Sequence, residues 1–305
     1  MAQPALQYPG PYCSINTEED HSIGQWHVRG ALGLMDDNVW ESELLEMPSE
    51  AEMPTGPAAF TGVGREEVYE GAKERMGPGA GLIAQRGASL CGPAAFMFIT
   101  ARHHPERYYR FATTLFETGD AKLGELRIKP GEDCRAYSPG AQIAAVDWVT
   151  LAGIRDSENA VFDYDDIDDA FAGITLPGEL ASWMRKAGYK KVVNETNLYF
   201  TKSKGNFLEA VSLHRKGRRV CLFIDLNGIE NPSPGRGRFS RIFTSANHWV
   251  VLEDVQCTRD DEVKFKIFTW GDDDYAVPPD PLHSGKKLKM SDWLQNYYGY
   301  VSCEV

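Results

Sequence analysis

Cys91 is the residue in this chain whose type and surroundings best suit nucleophilic chemistry. It lies in the segment Gln85-Arg86-Gly87-Ala88-Ser89-Leu90-Cys91-Gly92-Pro93 and opens the apolar run Cys91–Ala101. That run reads as a helix, with Pro93 tolerated because it falls in the first turn, where no amide hydrogen is required. A thiol at a helix N-terminus is exposed to free N–H groups and to the positive end of the helix dipole, both of which favour the thiolate. Gly92 lets a substrate approach the main chain closely. Gln85, six residues upstream, can offer its amide to a developing oxyanion. Removing one such donor typically costs about 2.7–4 kcal/mol of transition-state stabilisation.

A nucleophilic thiol needs a base beside it, and seven histidines are available. His103 and His104 lie at the far end of the helix that Cys91 opens, roughly 18 Å away at the rise of an α-helix. His21 and His27 fall in an acidic leading segment, and His214 and His283 in charged surroundings. His248 opens the hydrophobic strand His248–Val255 after the polar stretch Asn227–Asn247. A strand preceded by a loop can present an imidazole to a helix terminus across a cleft, so His248 is the expected base.

Gln-x5-Cys-Gly at a helix start, followed far downstream by His248-Trp249-Val250-Val251 and then by Thr269-Trp270-Gly271, resembles the papain-like cysteine peptidase superfamily. The run Cys91-Gly92-Pro93-Ala94-Ala95 and the helix opening Leu176-Pro177-Gly178-Glu179-Leu180 look closest to its bacterial C39-like branch. The likeness spans about residues 81–305. It implies that Cys91 is the nucleophile, His248 the general base and Gln85 the oxyanion donor. The resulting enzyme is a peptidase or amidase that works through an acyl-thioester without metal or organic cofactor. In the same alignment Phe268 stands where the family's histidine-orienting Asn belongs, and Phe cannot accept a hydrogen bond. Thr269 and Asp272 are the nearest substitutes and Asp254 a more distant one, with hairpin register deciding among them.

The resemblance also implies a partner class: a protein or peptidoglycan peptide as substrate. For a secretion-system effector it implies an immunity protein or a loading chaperone. The same Cys-His site could instead support acyl transfer or glutamine deamidation, and a papain-like domain could also serve as a non-catalytic binding module.

The elements that must position these residues are legible from periodicity. Helices are expected at Arg65–Arg75, Cys91–Ala101, Pro105–Thr118, Gly140–Ala152, Pro177–Ala187 and Asn206–His214. The Cys91 helix is apolar on nearly every face and is expected in mid-core. Short β-branched and apolar runs then follow at Arg219–Asp225, His248–Val255, Val263–Trp270 and Tyr297–Val305, the middle two reading as a hairpin. Helices followed by an antiparallel sheet give an α+β fold. By the papain-like resemblance, the nucleophile opens the central helix of a helical subdomain packed on the sheet that carries the histidine. Residues 1–80 are expected to form an acidic, loosely structured arm with a short helix near Asn38–Met47, and residues 81–305 the hydrolase domain.

Charge and composition exclude other classes. Residues 1–80 carry 14 acidic and 4 basic side chains, so this segment holds −10 of the chain's net −12. An acidic chain is poorly suited to nucleic acid, where Lys and Arg must displace counterions. No run of apolar residues is long enough to insert in a membrane. The N-terminus shows no basic and apolar leader, so the expected location is the producing cell's cytoplasm, with any export by a route that does not read such a signal. The six cysteines are scattered without zinc spacing and read as reduced thiols, with Cys221 a buried small hydrophobe. The run Asp163–Asp169 lacks the Gly and terminal Glu of a calcium loop and reads as a solvated acidic turn. Arg215, Lys216, Arg218 and Arg219, with Arg236, Arg238 and Arg241, read as an exposed face or the lining of a cleft.

Overall fold

A computed structural model describes residues 53–158, 175–225, 247–257, 261–278 and 287–305. The architecture below belongs to the compact unit that contains Pro57–Val305. The expected helix near Asn38–Met47, the acidic run at 163–169 and the arginines at 236, 238 and 241 lie outside the described residues.

Helix α1 (Arg65–Glu74) opens the described fold, with a 3₁₀ turn (Gly77–Leu82) after it. Helix α2 (Cys91–His103) is buried from Cys91 to Ala101, as an all-round apolar helix must be. Helix α3 (Pro105–Thr118) starts on a proline and stops at Gly119, which adopts the left-handed conformation of a C-cap. A small hairpin of β1 (Ala121–Leu123) and β2 (Leu126–Ile128) and a short α4 (Glu132–Ala136) come next. Helix α5 (Ala145–Asp147) continues through a π turn (Trp148–Ala152) into α6 (Gly153–Glu158). Helix α7 (Pro177–Lys186) and α8 (Lys204–Arg215) flank β3 (Lys190–Asn194).

Strands β4 (Arg219–Ile224), β5 (His248–Cys257), β6 (Val263–Thr269), β7 (Asp272–Val277) and β8 (Tyr297–Glu304) complete a six-stranded sheet in the order β3-β8-β4-β5-β6-β7. Every pairing within it is antiparallel. The chain is therefore an α+β protein. Alternation along the strands separates two cores. Cys221 and Phe223 of β4, Trp249 and Val251 of β5 and Phe268 of β6 face the layer built around α2, α3 and α7. Val220, Leu222 and Ile224, with Val250, Leu252 and Ile267, face α8 and Trp293. Both faces of the sheet are covered, which explains why β4 reads as a continuous apolar run rather than an alternating one.

The packed body reaches further toward the N-terminus than a start at Gly81 allows. Phe60, Val68 and Ala72 are buried in the same core as α2. Arg65 is held by Glu117 of α3 at 2.7 Å, and Arg75 by the fully buried Asp147 at 2.8 Å. Residues 57–80 are thus structural. Their acidic side chains lie on the outer face of α1, and that charge masks the short apolar stripe in the sequence. The strands β1, β2, β3 and β7 and the helix Met290–Trp293 were not expected. Each is short, and β3 and β7 are sheet edges with polar, half-exposed residues. Among the described residues, no helix is long and apolar enough to cross a membrane.

Candidate active site

Helix α2 delivers Cys91 to the end of the sheet where β5 begins, because α2 packs on the inner strands β5 and β6. Cys91 is 6% exposed. Leu90 is the N-cap residue and offers no side-chain cap. The first intrahelical bond runs from the Ala94 N–H to the Leu90 carbonyl at 2.9 Å. Since Pro93 has no N–H, the free donors of this first turn are those of Cys91 and Gly92, and both act on the Cys91 sulfur.

The sulfur meets β5 where His248 begins it. Sγ lies 3.9 Å from the Asn247 carbonyl oxygen, and the Trp249 N–H also acts on it. Cys91 therefore contacts the main chain on both sides of His248. Alternation puts His248 in phase with Val250 and Leu252, so its ring leans toward β6 and the turn that follows. Its Nε2 lies 2.8 Å from Thr269 Oγ1, and its ring stacks on Trp270 with centroids 5.2 Å apart. Among the described residues, no hydrogen bond joins the Cys91 sulfur to the His248 ring.

Burial governs both ionisable groups. It pushes the Cys91 thiol up to about 11, against the opposing pull of the Trp249, Gly92 and Cys91 N–H groups and of the Arg155 charge. Burial likewise pulls the His248 imidazole down to about 4. At neutral pH the pair is thiol and neutral imidazole rather than thiolate and imidazolium.

Of the residues considered for orienting the histidine, Thr269 occupies that place. Phe268 points to the opposite face and stacks on Phe98 with centroids 4.0 Å apart. Asp272 is exposed, and its Oδ1 accepts the Asp274 N–H at 2.8 Å, capping the turn rather than reaching the ring. Asp254 turns back to the N–H of Val255 at 2.7 Å. Irregularities of register in β5–β6, between Leu252 and Asp254, and in β6–β7, between Ile267 and Thr269, set these facings.

Gln85 is buried, and its amide makes no hydrogen bond among the described residues. Its loop is nevertheless fixed beside the site. The neighbouring Ala84 N–H donates to Asp147 Oδ2 at 3.1 Å, the carboxylate that also holds Arg75. On the other side, Gly271 adopts φ +83°, and a Cβ there would lie 2.8 Å from the Ala84 Cβ. The turn after Thr269 and the Gln85 loop therefore touch.

Two residues of the site, Thr175 and Arg155, carry no motif. A Cβ on Gly92 would lie 2.3 Å from Thr175 Oγ1, so Thr175 fills the space that glycine leaves, where a substrate was expected. The Trp249 indole N–H donates to the Thr175 carbonyl at 2.9 Å. Glu179 Oε2 accepts the Leu176 N–H at 2.7 Å and the buried Arg155 guanidinium at 3.0 Å. Glu179, three residues after Leu176, is a capping-box signal that the sequence does carry. Thr175 and Arg155 have no such signal, because their roles depend on contacts far apart in the chain.

Other expected features fall elsewhere. Arg218 is buried, donates to the carbonyls of Lys191 and Ser302 and ties β3 to β8. Cys221 is fully buried, and Cys91, Cys134, Cys221 and Cys303 are free thiols. Among the described residues, no group of three or more His, Cys, Asp or Glu side chains is placed to hold a metal ion. Comparison with known proteins finds no matching family model, no matching curated protein and no matching solved structure.

Proposed function

We infer that the chain is a thiol hydrolase of the papain-like kind, cleaving an amide bond of a protein or peptide through an acyl-thioester on Cys91. The observation that carries this reading is the placement of Cys91: a thiol at the start of a buried helix, beside the free N–H groups of its first turn, set against the main chain on both sides of His248. The ring's own neighbours, Thr269 and Trp270, suit a base. With Nε2–H donating to Thr269 Oγ1, Nδ1 is left as the unprotonated nitrogen, ready to accept a proton.

In this reading Sγ bonds to the substrate carbonyl carbon as its proton passes to His248 Nδ1. The oxyanion is met by the N–H groups of Cys91 and Gly92. The imidazolium returns the proton to the departing amine, the C–N bond breaks, and an acyl-thioester remains. Water, deprotonated by Nδ1, then attacks that thioester, which releases a carboxylate and restores the thiol. The resting pair is uncharged, so proton transfer accompanies attack rather than preceding it. Catalytic hydrogen bonds that are long in a free enzyme commonly tighten when substrate binds.

A second reading is favoured by a specific observation: the raised thiol and the lack of a sulfur–imidazole hydrogen bond suit a binding module that keeps the fold without turnover. Incubation with p-nitrophenyl acetate separates the two. The hydrolase reading expects an acetyl group on Cys91 and continued release of p-nitrophenolate. A binding module gives neither. The effector role, with its immunity protein or chaperone and its export without a leader, rests on the resemblance alone. Equal toxicity of wild type and Cys91→Ala in a recipient cell would remove it.

A further inference from the structure

Thr175 is buried to 1% exposure, and among the described residues its hydroxyl makes no hydrogen bond. Its side chain lies directly against Gly92, with Oγ1 2.3 Å and Cβ 2.4 Å from where a Cβ would stand. Gly92 supplies one of the two free N–H groups of the α2 first turn. The residue is not loosely placed. The Trp249 indole pins its carbonyl at 2.9 Å, and the next N–H, that of Leu176, is fixed by Glu179 at 2.7 Å. Glu179 is in turn held by the buried Arg155 at 3.0 Å.

A buried hydroxyl without a partner is destabilising, and a valine of the same shape would avoid that cost. Here the residue is clamped by two main-chain anchors, and its hydroxyl is accommodated by Gly92, the residue after the thiol. Such an arrangement is expected of a donor whose acceptor arrives with the substrate. We propose that the Thr175 hydroxyl is the side-chain donor to the acyl oxygen, completing with the Cys91 and Gly92 N–H groups the oxyanion site that Gln85 was expected to serve. This rests on the hydrolase reading above. Thr175 O–H donates to the oxygen as Sγ bonds to carbon and the carbonyl π electrons move onto that oxygen. The hydrogen bond loosens when the carbonyl re-forms, and no proton is transferred to or from Thr175.

The test uses p-nitrophenyl acetate as acyl donor and iodoacetamide as a control, since alkylation of sulfur generates no oxyanion. Thr175→Val is expected to slow acetylation of Cys91 by about 10²–10³-fold, with an unchanged alkylation rate and a Tm equal to or above wild type. Thr175→Ser, which keeps the hydroxyl, is expected to stay within a few-fold of wild type. Gln85→Ala should lose far less than Thr175→Val. Wild-type acetylation in Thr175→Val overturns the proposal. So does a parallel loss of alkylation and acetylation, which would mark a packing role. A large loss in Gln85→Ala with none in Thr175→Val returns the role to Gln85. Acetylation absent from wild-type Cys91 while another residue reacts overturns the hydrolase reading itself, a result none of the Thr175 outcomes mimics.

Discussion

His248 Nε2 and Thr269 Oγ1 lie 2.8 Å apart, both buried, on neighbouring antiparallel strands. The bond holds the ring in one orientation, and in the hydrolase reading Nε2–H is its donor, which leaves Nδ1 to act as the base. A hydroxyl does this without adding negative charge, so nothing offsets the burial that keeps the imidazole neutral. Thr269→Val leaves the ring's Nε2 buried without a partner and is expected to lower unfolding free energy by about 1–3 kcal/mol. Thr269→Ser should retain most of that stability. Asp272→Asn, at an exposed turn, should change it by less than about 0.5 kcal/mol. Urea denaturation of the three variants measures the ordering.

Acid should destabilise the fold through its buried histidines. Burial lowers His248 and His104 to about 4 and His103 to about 3. Below pH 6.5 the unfolded chain binds protons at these sites that the folded chain refuses, so stability falls as pH drops toward 4. Glu253, which burial raises to about 7, works in the opposite direction. There the folded state keeps a proton that the unfolded state has lost, which favours folding at the acid end of its range. Burial also lowers His214 and raises Asp147, and four histidines against two carboxyls leave a net loss on acidification. Denaturation midpoints between pH 4.5 and 6.5 should fall with pH, and less steeply in Glu253-retaining His248→Asn than in wild type.

Thiol reactivity should rise late in the pH range. With Cys91 held near 11, its alkylation by iodoacetamide should increase about tenfold per pH unit from 7 to 9 without a plateau. A plateau below pH 8 would reveal a thiolate–imidazolium pair that the resting structure does not contain.

The Arg75–Asp147 pair carries the Gln85 loop. Asp147 is wholly buried and accepts from Arg75 Nε at 2.8 Å, from Arg75 Nη2 at 2.9 Å and from the Ala84 N–H at 3.1 Å. Arg75→Ala strands a buried carboxylate and should cost about 3–5 kcal/mol. The double change Arg75→Met with Asp147→Leu should cost less than Arg75→Ala alone, as read by urea denaturation.

Gly92→Ala tests the contact with Thr175. The added methyl would lie 2.3–2.6 Å from three atoms of an anchored side chain. Overpacking of this kind costs about 1–3 kcal/mol. Thr175→Gly in the same chain removes all three atoms and should recover most of the lost Tm.

Much of this arrangement could be read from residue order. The all-apolar run from Cys91 forms a wholly buried helix starting at that cysteine. Pro105 and Gly119 bound α3, and His248 opens β5. These features are local, since a proline, a capping glycine or an apolar period acts within one turn or one strand. What could not be read was non-local. Residues 57–80 pack into the body because their few apolar side chains meet α3 and α5, which charge counting does not reveal. Thr269 rather than Phe268 faces His248 because register irregularities set the phase of β6. Thr175 joins the site only because Gly92, eighty-three residues earlier, leaves room for it.

The central claim is that Cys91 and His248 act as one unit, and peptide mass spectrometry after brief exposure to p-nitrophenyl acetate tests it most directly. Wild-type protein should carry an acetyl group on the Cys91 peptide, and His248→Ala should form that adduct at least about 10²-fold more slowly, as expected on losing a general base. An adduct absent from Cys91, or formed as fast in His248→Ala as in wild type, would contradict the account.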